Sequence, residues 1–301
     1  MKTVEVGTRI AVKNILFATD FSSCSTAALS YATSFARRFG AMLHVAHVLP
    51  SDPNLAFMPP ETWPLAMEEE EKWARERTEE LEPQLQGVPH EVLTPKGEVR
   101  NILARIVREK EIDLIVLGTH GRTGVRKLFM GSVAEAVFRG SPCAVLTVGP
   151  IVSPAPNGEI RFQNILFATD FSDDSLAALP YAISLAEEDQ ARVAILHVVG
   201  QPAAGVQHPE ELKHALTQRL QKLAQAQDYP WCRAEYLVEF TPLFEPVGER
   251  VLQIARDRGA DLIVMGVRRE HGTGAVVTHL TSTTAQHIVA HAECPVLTVR
   301  G

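Results

Sequence analysis

The chain has 301 residues, 46% hydrophobic and 22% charged, enough for two globular domains of about 150 residues that each bury a core. Its formal net charge of -7, with no extended Lys/Arg run, excludes a nucleic-acid binder that draws its affinity from phosphate neutralisation. No stretch approaches the ~20 apolar residues of a membrane span, Met1–Lys13 lacks the apolar core of a signal peptide, and Cys24, Cys143, Cys232 and Cys294 are scattered without a CxxC, so buried thiols in a reducing cytoplasm are expected.

In chain order, Asn14–Thr19 reads as an apolar strand. Ser22 or Ser23 then caps a helix running to about Phe39, which Gly40 stops. Met42–Leu49 is a second strand, followed by a proline-rich loop, Pro50–Pro60. Glu61–Gln86 reads as a long acidic helix with a break at Pro83. His90–Thr94 is a third strand, and Glu98–Lys110 a helix with Val99, Ile102, Leu103 and Ile106 on one face. Asp113–Leu117 is apolar without alternation, the mark of a central strand covered on both faces. A loop over Gly118–Met130, a short helix over Ser132–Arg139 and a strand over Cys143–Val148 follow.

The segment Asn14-Ile15-Leu16-Phe17-Ala18-Thr19-Asp20-Phe21-Ser22 then recurs, letter for letter, as Asn164–Ser172. One domain is written twice, with boundaries expected at 1–149 and 161–301 and a Pro-containing linker, 150–160, too short for free tumbling. In the second copy, strands fall near 164–169, 192–198, 235–241, 261–265 and 294–299. Helices fall near 172–188, 209–227, 247–258 and 283–291. Such alternation predicts an α/β fold: two doubly wound domains, each a parallel sheet with right-handed crossovers and helices on both faces. Ligands of such sheets bind beyond the carboxyl ends of the strands, at the switch point. Thr19-Asp20 and the stretch from Gly118 onward gather there.

That stretch, Gly118 to Ser132, has the skeleton G-x2-G-x9-G-S between a buried strand and a helix. Gly118 and Gly121 permit close backbone approach to a ligand. Gly131-Ser132 opens a helix, where free N–H groups favour an anion. Arg122, Arg126 and Lys127 add positive charge. The arrangement suits a di- or triphosphate, although no Walker A loop is present.

These features together resemble the universal stress proteins in tandem form. The resemblance rests on ILFATDFS opening each copy, DLIVLGTHG, the glycine loop, and the closing SPCAVLTV and AECPVLTV. It implies a five-stranded parallel sheet per domain, of the adenine nucleotide alpha hydrolase-like type, with ATP, accompanied by Mg²⁺, at the strand ends. Asp20 and Thr19 would lie near the ribose and base, and Leu43 would offer backbone groups to the adenine. Gly118, His120, Gly121, Gly131, Ser132 and Val133 would line the phosphates, with Ala18, Leu117 and Arg122 in the same binding set. The final strands would pair in an intramolecular pseudo-dimer, and a homodimer of tandem chains is a further expectation.

The second copy departs from this pattern. Gly266 survives, but Arg269 replaces the second glycine, Ser282-Thr283 replaces Gly131-Ser132, and the loop is longer. Close backbone approach to phosphate is therefore compromised there, although Arg268 and Arg269 still attract anions and Asp170 and Val193 remain.

Several readings stay open. Asp20 and Asp170 are ligand contacts or helix N-caps. His120 is a phosphate or loop contact rather than a general base, having no evident acidic partner. His287 and His291 have metal-ligand spacing but no completing residue. The Glu68–Glu71 run reads as a solvated face, and Trp63, Phe57 and Met58 as core, lid or interface. The leading expectation is a cytoplasmic ATP-binding stress-response protein acting as a nucleotide-dependent sensor or switch, with no catalytic or metal residue assigned. The alternatives are a slow ATPase, or autophosphorylation on Ser132 or Thr123, and a nucleotide-independent scaffold.

Overall fold

The computed structural model describes residues 10–50, 63–121, 130–152, 159–200, 208–225, 234–268 and 282–301. They form two compact units, Val12–Ile160 and Arg161–Gly301, the latter joined by residues 10 and 11. Ile160 belongs to the first unit because its N–H donates to Ser34 Oγ at 2.9 Å and its carbonyl accepts from Arg38.

The first unit begins with β1 (Asn14–Ala18) and α1 (Ser23–Phe39), whose N-cap is Ser22 and whose C-cap, Gly40, takes the left-handed φ of +62°. β2 (Met42–Ala46) ends earlier than expected. The chain then makes β3 (Leu49–Pro50), which pairs with β5 (Lys96–Gly97) in a separate two-stranded sheet. The acidic segment forms α2 (Trp63–Glu79) and α3 (Glu82–Leu85), interrupted ahead of Pro83 because proline has no N–H to continue the ladder. β4 (His90–Leu93) leads to α4 (Val99–Glu109), whose N-cap Glu98 accepts the N–H groups of Arg100 and Asn101. β6 (Leu114–Gly118), α5 (Ser132–Gly140) and β7 (Ala144–Val148) complete the unit.

The second unit repeats this order. It comprises β8 (Asn164–Ala168), α6 (Asp173–Leu176), α7 (Leu179–Asp189), β9 (Arg192–Val199), α8 (Pro209–Gln225), β10 (Ala234–Phe240), α9 (Val247–Asp257), β11 (Leu262–Gly266), α10 (Ser282–His291) and β12 (Val296–Val299). The counterpart of α1 is split in two. Pro180 sits in the first turn of α7 and cannot donate to the preceding turn.

Within the first unit the strand order is β4-β2-β1-β6-β7, and within the second β10-β9-β8-β11-β12, all neighbours parallel. The order reverses beside the first strand, which creates the switch point between β1 and β6. One face of the first sheet packs on α1. The other carries the core cluster of Leu16, Ala46, Val48, Ile102, Leu103, Ile106, Ile115, Leu117, Ala134 and Val137 beneath α4 and α5. The central strands are buried on both faces, as their unbroken apolar runs require.

The start of each sheet is pinned by one carboxylate. Asp113 Oδ2 accepts the N–H groups of Lys13 at 2.7 Å and Asn14 at 3.0 Å, while the Asp113 N–H donates to the Asn14 carbonyl. Asp261 does the same for Gln163 and Asn164. We expect Asp113→Ala to lower the unfolding free energy by about 1–3 kcal/mol, because two strand-initiating N–H groups lose their acceptor. Denaturant midpoints of wild type, Asp113→Ala and Asp113→Asn test this, with Asn recovering part of the loss.

Candidate functional site

The turn after β1 is built by its own side chains. Thr19 Oγ1 lies 2.6 Å from Ser25 Oγ and accepts the Phe21 N–H at 3.0 Å. Asp20 Oδ1 accepts the Ser22 N–H at 3.0 Å, and Ser22 Oγ accepts the Ser25 N–H at 3.3 Å. Phe21 is thereby held at φ +60°. Its ring packs 4.6 Å from His47 and 5.4 Å from Trp73, and His47 Nδ1–H donates to the Thr19 carbonyl at 2.9 Å. Ser22 is therefore the helix cap. Asp20 serves as the acceptor of a tight turn ahead of it, its carboxylate turned toward Gly121.

Beyond β1 and β6 this turn opens onto a cavity of about 320 Å³. Ten residues singled out in the sequence line it: Ala18, Thr19, Asp20, Leu117, Gly118, His120, Gly121, Gly131, Ser132 and Val133. His120 Nδ1 lies 2.9 Å from Thr119 Oγ1, and the His120 carbonyl accepts from Ser22 Oγ at 3.2 Å. Gly131 N–H donates to the Thr119 carbonyl at 2.7 Å and sets the start of α5. Gly131 has no side chain to cap that helix, so the first-turn N–H groups at Ser132–Ala134, which border the cavity, have no intrahelical acceptor.

One of the expected residues sits elsewhere. Leu43 does not reach the cavity. It sits near the amino end of β2, paired with Ile15 and His90 and fully buried. The cavity wall is instead Ala46, His47 and Val48 at the carboxyl end of that strand, with Val99 and Leu103 from α4. Arg122 lies outside the described residues, as do Thr123, Arg126, Lys127, Arg269, His271, His279, Phe57 and Met58, and the side chains of Trp63, Ser282 and Thr283.

The glycines also have different reasons from those expected. A Cβ on Gly118 would meet the Cys24 carbonyl carbon at 2.8 Å and the Ser25 N at 2.9 Å, so this glycine admits the start of α1 rather than a ligand. On Gly266 the same atom would lie 2.1 Å from the Asp174 carbonyl oxygen, which explains why the second copy keeps it. A Cβ on Gly121 would press on Asp20 Oδ2 at 2.7 Å, so Gly121 makes room for that carboxylate. Gly131, by contrast with Gly118 and Gly121, is uncrowded, its nearest neighbour at 3.4 Å.

The second unit has the same turn: Thr169 Oγ1 lies 2.9 Å from Ser175 Oγ, and Phe171 stands at φ +62°. Yet the corresponding space measures only about 10 Å³. Leu196 takes the place of Ala46 and fills it against Val198, Val247 and Val251. Arg268, the counterpart of His120, reaches Asp170 at 3.4 Å. Burial works to raise the Asp170 carboxyl, but hydrogen bonds from Ser172 and Ser175, with the Arg268 charge, outweigh it and hold the group below its ordinary range.

Among the described residues no group of three His, Cys, Asp or Glu is arranged to hold a metal. His287 instead contacts Glu249 at 3.2 Å and stacks on His291, whose Nδ1 bonds the His287 carbonyl. Burial raises the thiols of Cys24 and Cys143 and pushes that of Cys294 up to about 12, so all three are un-ionised at neutral pH. No described helix is long and apolar enough to cross a membrane.

Parallel strands with helices on both faces and a cavity at the switch point define a doubly wound α/β protein. The pattern described as the universal stress protein family matches residues 11–149 and again 161–300, so the chain belongs to that family and carries its domain twice. Universal stress protein MJ0531 of Methanocaldococcus jannaschii is 31% identical over 139 residues, covering 45% of this chain and 81% of that protein. A universal stress protein of Thermus aquaticus is 34% identical over 140 residues, covering 45% and 98%. The crystal structure of a universal stress protein from Archaeoglobus fulgidus shares the fold over 95% of this chain and 98% of its own, with a TM-score of 0.66 at 22% identity.

Two expectations follow. Gly118→Ala should lower the unfolding free energy by about 1–3 kcal/mol without any ligand present, because the added methyl overpacks α1, whereas Gly131→Ala should leave the denaturant midpoint nearly unchanged. Because the folded pKa of Asp170 lies below its unfolded value, its stabilisation is present above the ordinary carboxylate range and lost as pH falls through the depressed value. Midpoints measured from neutral to acid pH should therefore fall less steeply in Asp170→Asn than in wild type.

Proposed function

We propose that the cavity of the first unit binds an adenine nucleotide, ATP with Mg²⁺, and that the chain is a nucleotide-dependent sensor or switch in the stress response of a cytoplasmic compartment. The observation that carries this is the contrast between the two units: one turn and one sheet order, but about 320 Å³ of space in the first and about 10 Å³ in the second. The apolar wall of Val48, Val99 and Leu103 suits a base. Asp20, an acceptor at the strand end, suits ribose hydroxyls. The start of α5, with Ser132, suits phosphate oxygens, since unpaired N–H groups and the helix dipole both favour an anion. His120, whose Nδ1 lies 2.9 Å from Thr119 Oγ1, serves as a contact in this arrangement. The second unit acts as a structural or regulatory partner, with Leu196 where a base would lie and Arg268 on the carboxylate that a ribose would meet.

Calorimetric titration of ATP with Mg²⁺ into nucleotide-stripped protein should give one site per chain, and bound nucleotide should raise the melting temperature. Ala46→Leu, which imitates the second unit, should weaken binding by roughly tenfold or more while the fold is kept. Two sites per chain would show that the second unit opens despite Leu196. No heat and no thermal shift would remove the nucleotide reading and favour a scaffold.

A further inference from the structure

Residues 42, 44 and 46 of β2 point to the face of the sheet covered by α4, and 192, 194 and 196 of β9 to the face covered by α9. In the first unit this row reads Met42, His44, Ala46; in the second, Arg192, Ala194, Leu196. The large and small positions have exchanged along the strand. Ala46 leaves space at the carboxyl end, and His44, 4% exposed, fills the amino end. There His44 Nδ1 lies 2.6 Å from Glu91 Oε1, and Lys110 Nζ lies 2.5 Å from the same oxygen. In the second unit Leu196 closes the carboxyl end, and Ala194 stands where the imidazole would be. The ion pair persists as Arg258 with Glu235, the counterparts of Lys110 and Glu91.

The result is a second cavity, of about 190 Å³, at the amino ends of β8, β9 and β10. Its apolar side chains on this face are Leu166 and Ala194, with Ala260 beside them, and its polar rim is Asn164, Arg192, Glu235 and Arg258. Two guanidinium groups against one carboxylate leave the rim one positive charge in excess. Glu235 is taken by Arg258, whereas Arg192 has no carboxylate within ion-pair distance among the described residues. An arginine with its fork unoccupied, over an apolar floor, suits a planar carboxylate.

We propose that the second unit carries its own binding site at the amino ends of its strands, for a small organic anion with a carboxylate head on Arg192 and a compact apolar body over Ala194. The duplicated domain has thus moved its open site from one end of the strands to the other.

Benzoate is the probe. Saturation-transfer NMR and calorimetry on the full chain should show saturable binding with a dissociation constant on the order of 1 mM, as expected for so small a ligand. Benzyl alcohol, lacking the charge, should bind roughly tenfold more weakly, as should benzoate to Arg192→Gln. Ala194→His, which restores the filling side chain of the first unit, should abolish binding. Arg192→Gln lies at the rim and keeps the test valid if Ala194→His does not fold. Binding of ATP to the first unit should be unchanged by either variant, and failure of ATP to bind at all leaves the benzoate result standing by itself. No saturable response to benzoate, or equal binding by Ala194→His and Arg192→Gln, overturns the proposal. Inorganic phosphate competing as well as benzoate overturns the apolar-body part of it.

Discussion

The turn from the first strand into the first helix is the constraint on which each unit depends. Four hydrogen bonds among Thr19, Asp20, Phe21, Ser22 and Ser25 close it, and the same set recurs from Thr169 to Ser175. They hold a phenylalanine in the left-handed region, a conformation that costs on the order of 1–3 kcal/mol for a residue with a side chain. The helix that follows then lies so close to the neighbouring strand that only glycine fits at Gly118 and Gly266. The identical nine-residue segments are the chemical record of that requirement, since Thr19, Asp20 and Ser22, and their counterparts Thr169, Asp170 and Ser172, are all partners in the turn.

The turn is common to both units, so what separates them lies outside it. The row 42, 44, 46 and its counterpart 192, 194, 196 lie on strands paired in register with the repeated segment, yet take no part in the hydrogen bonds that close the turn. Size can change there without disturbing the ladder, provided that volume lost at one position is recovered nearby, because interiors pack densely. Exchange of a large and a small side chain two residues apart does this on one face of one strand. It moves the space without enlarging the total, so stability need not be lost in either unit.

Much of this was legible in the sequence. The repeat, the alternation of strands and helices, the cap at Ser22 and the stop at Gly40 follow from local rules that the structure obeys. The break at Pro180 was missed because the first copy has Ser30 at that position and an unbroken helix, which set the expectation for the second. The inward reach of the glycine loop was legible as a pattern but not as a cause. Gly118 and Gly121 read equally well as openings for a ligand, and only distances show that one admits a helix and the other a carboxylate. Leu43 was placed at the ligand because position along β2 cannot be read from composition, and a strand rises about 3.3 Å per residue, so an error of a few residues crosses the sheet.

Ala46 and Leu196 were in view throughout, since the two copies align without gaps over this stretch. Comparison of the copies by motif weighs the residues that are the same and the loop that differs, and passes over an alanine facing a leucine as one apolar residue for another. In a packed interior that difference is three methyl-sized groups, enough to fill a site. A tandem chain supplies its own control for such reasoning: both units fold from nearly the same scaffold, so a position where their side-chain volumes diverge on a buried face points to where their functions part. By that criterion the alternating row of the second strand is such a position, with Ala46 facing Leu196 and His44 facing Ala194.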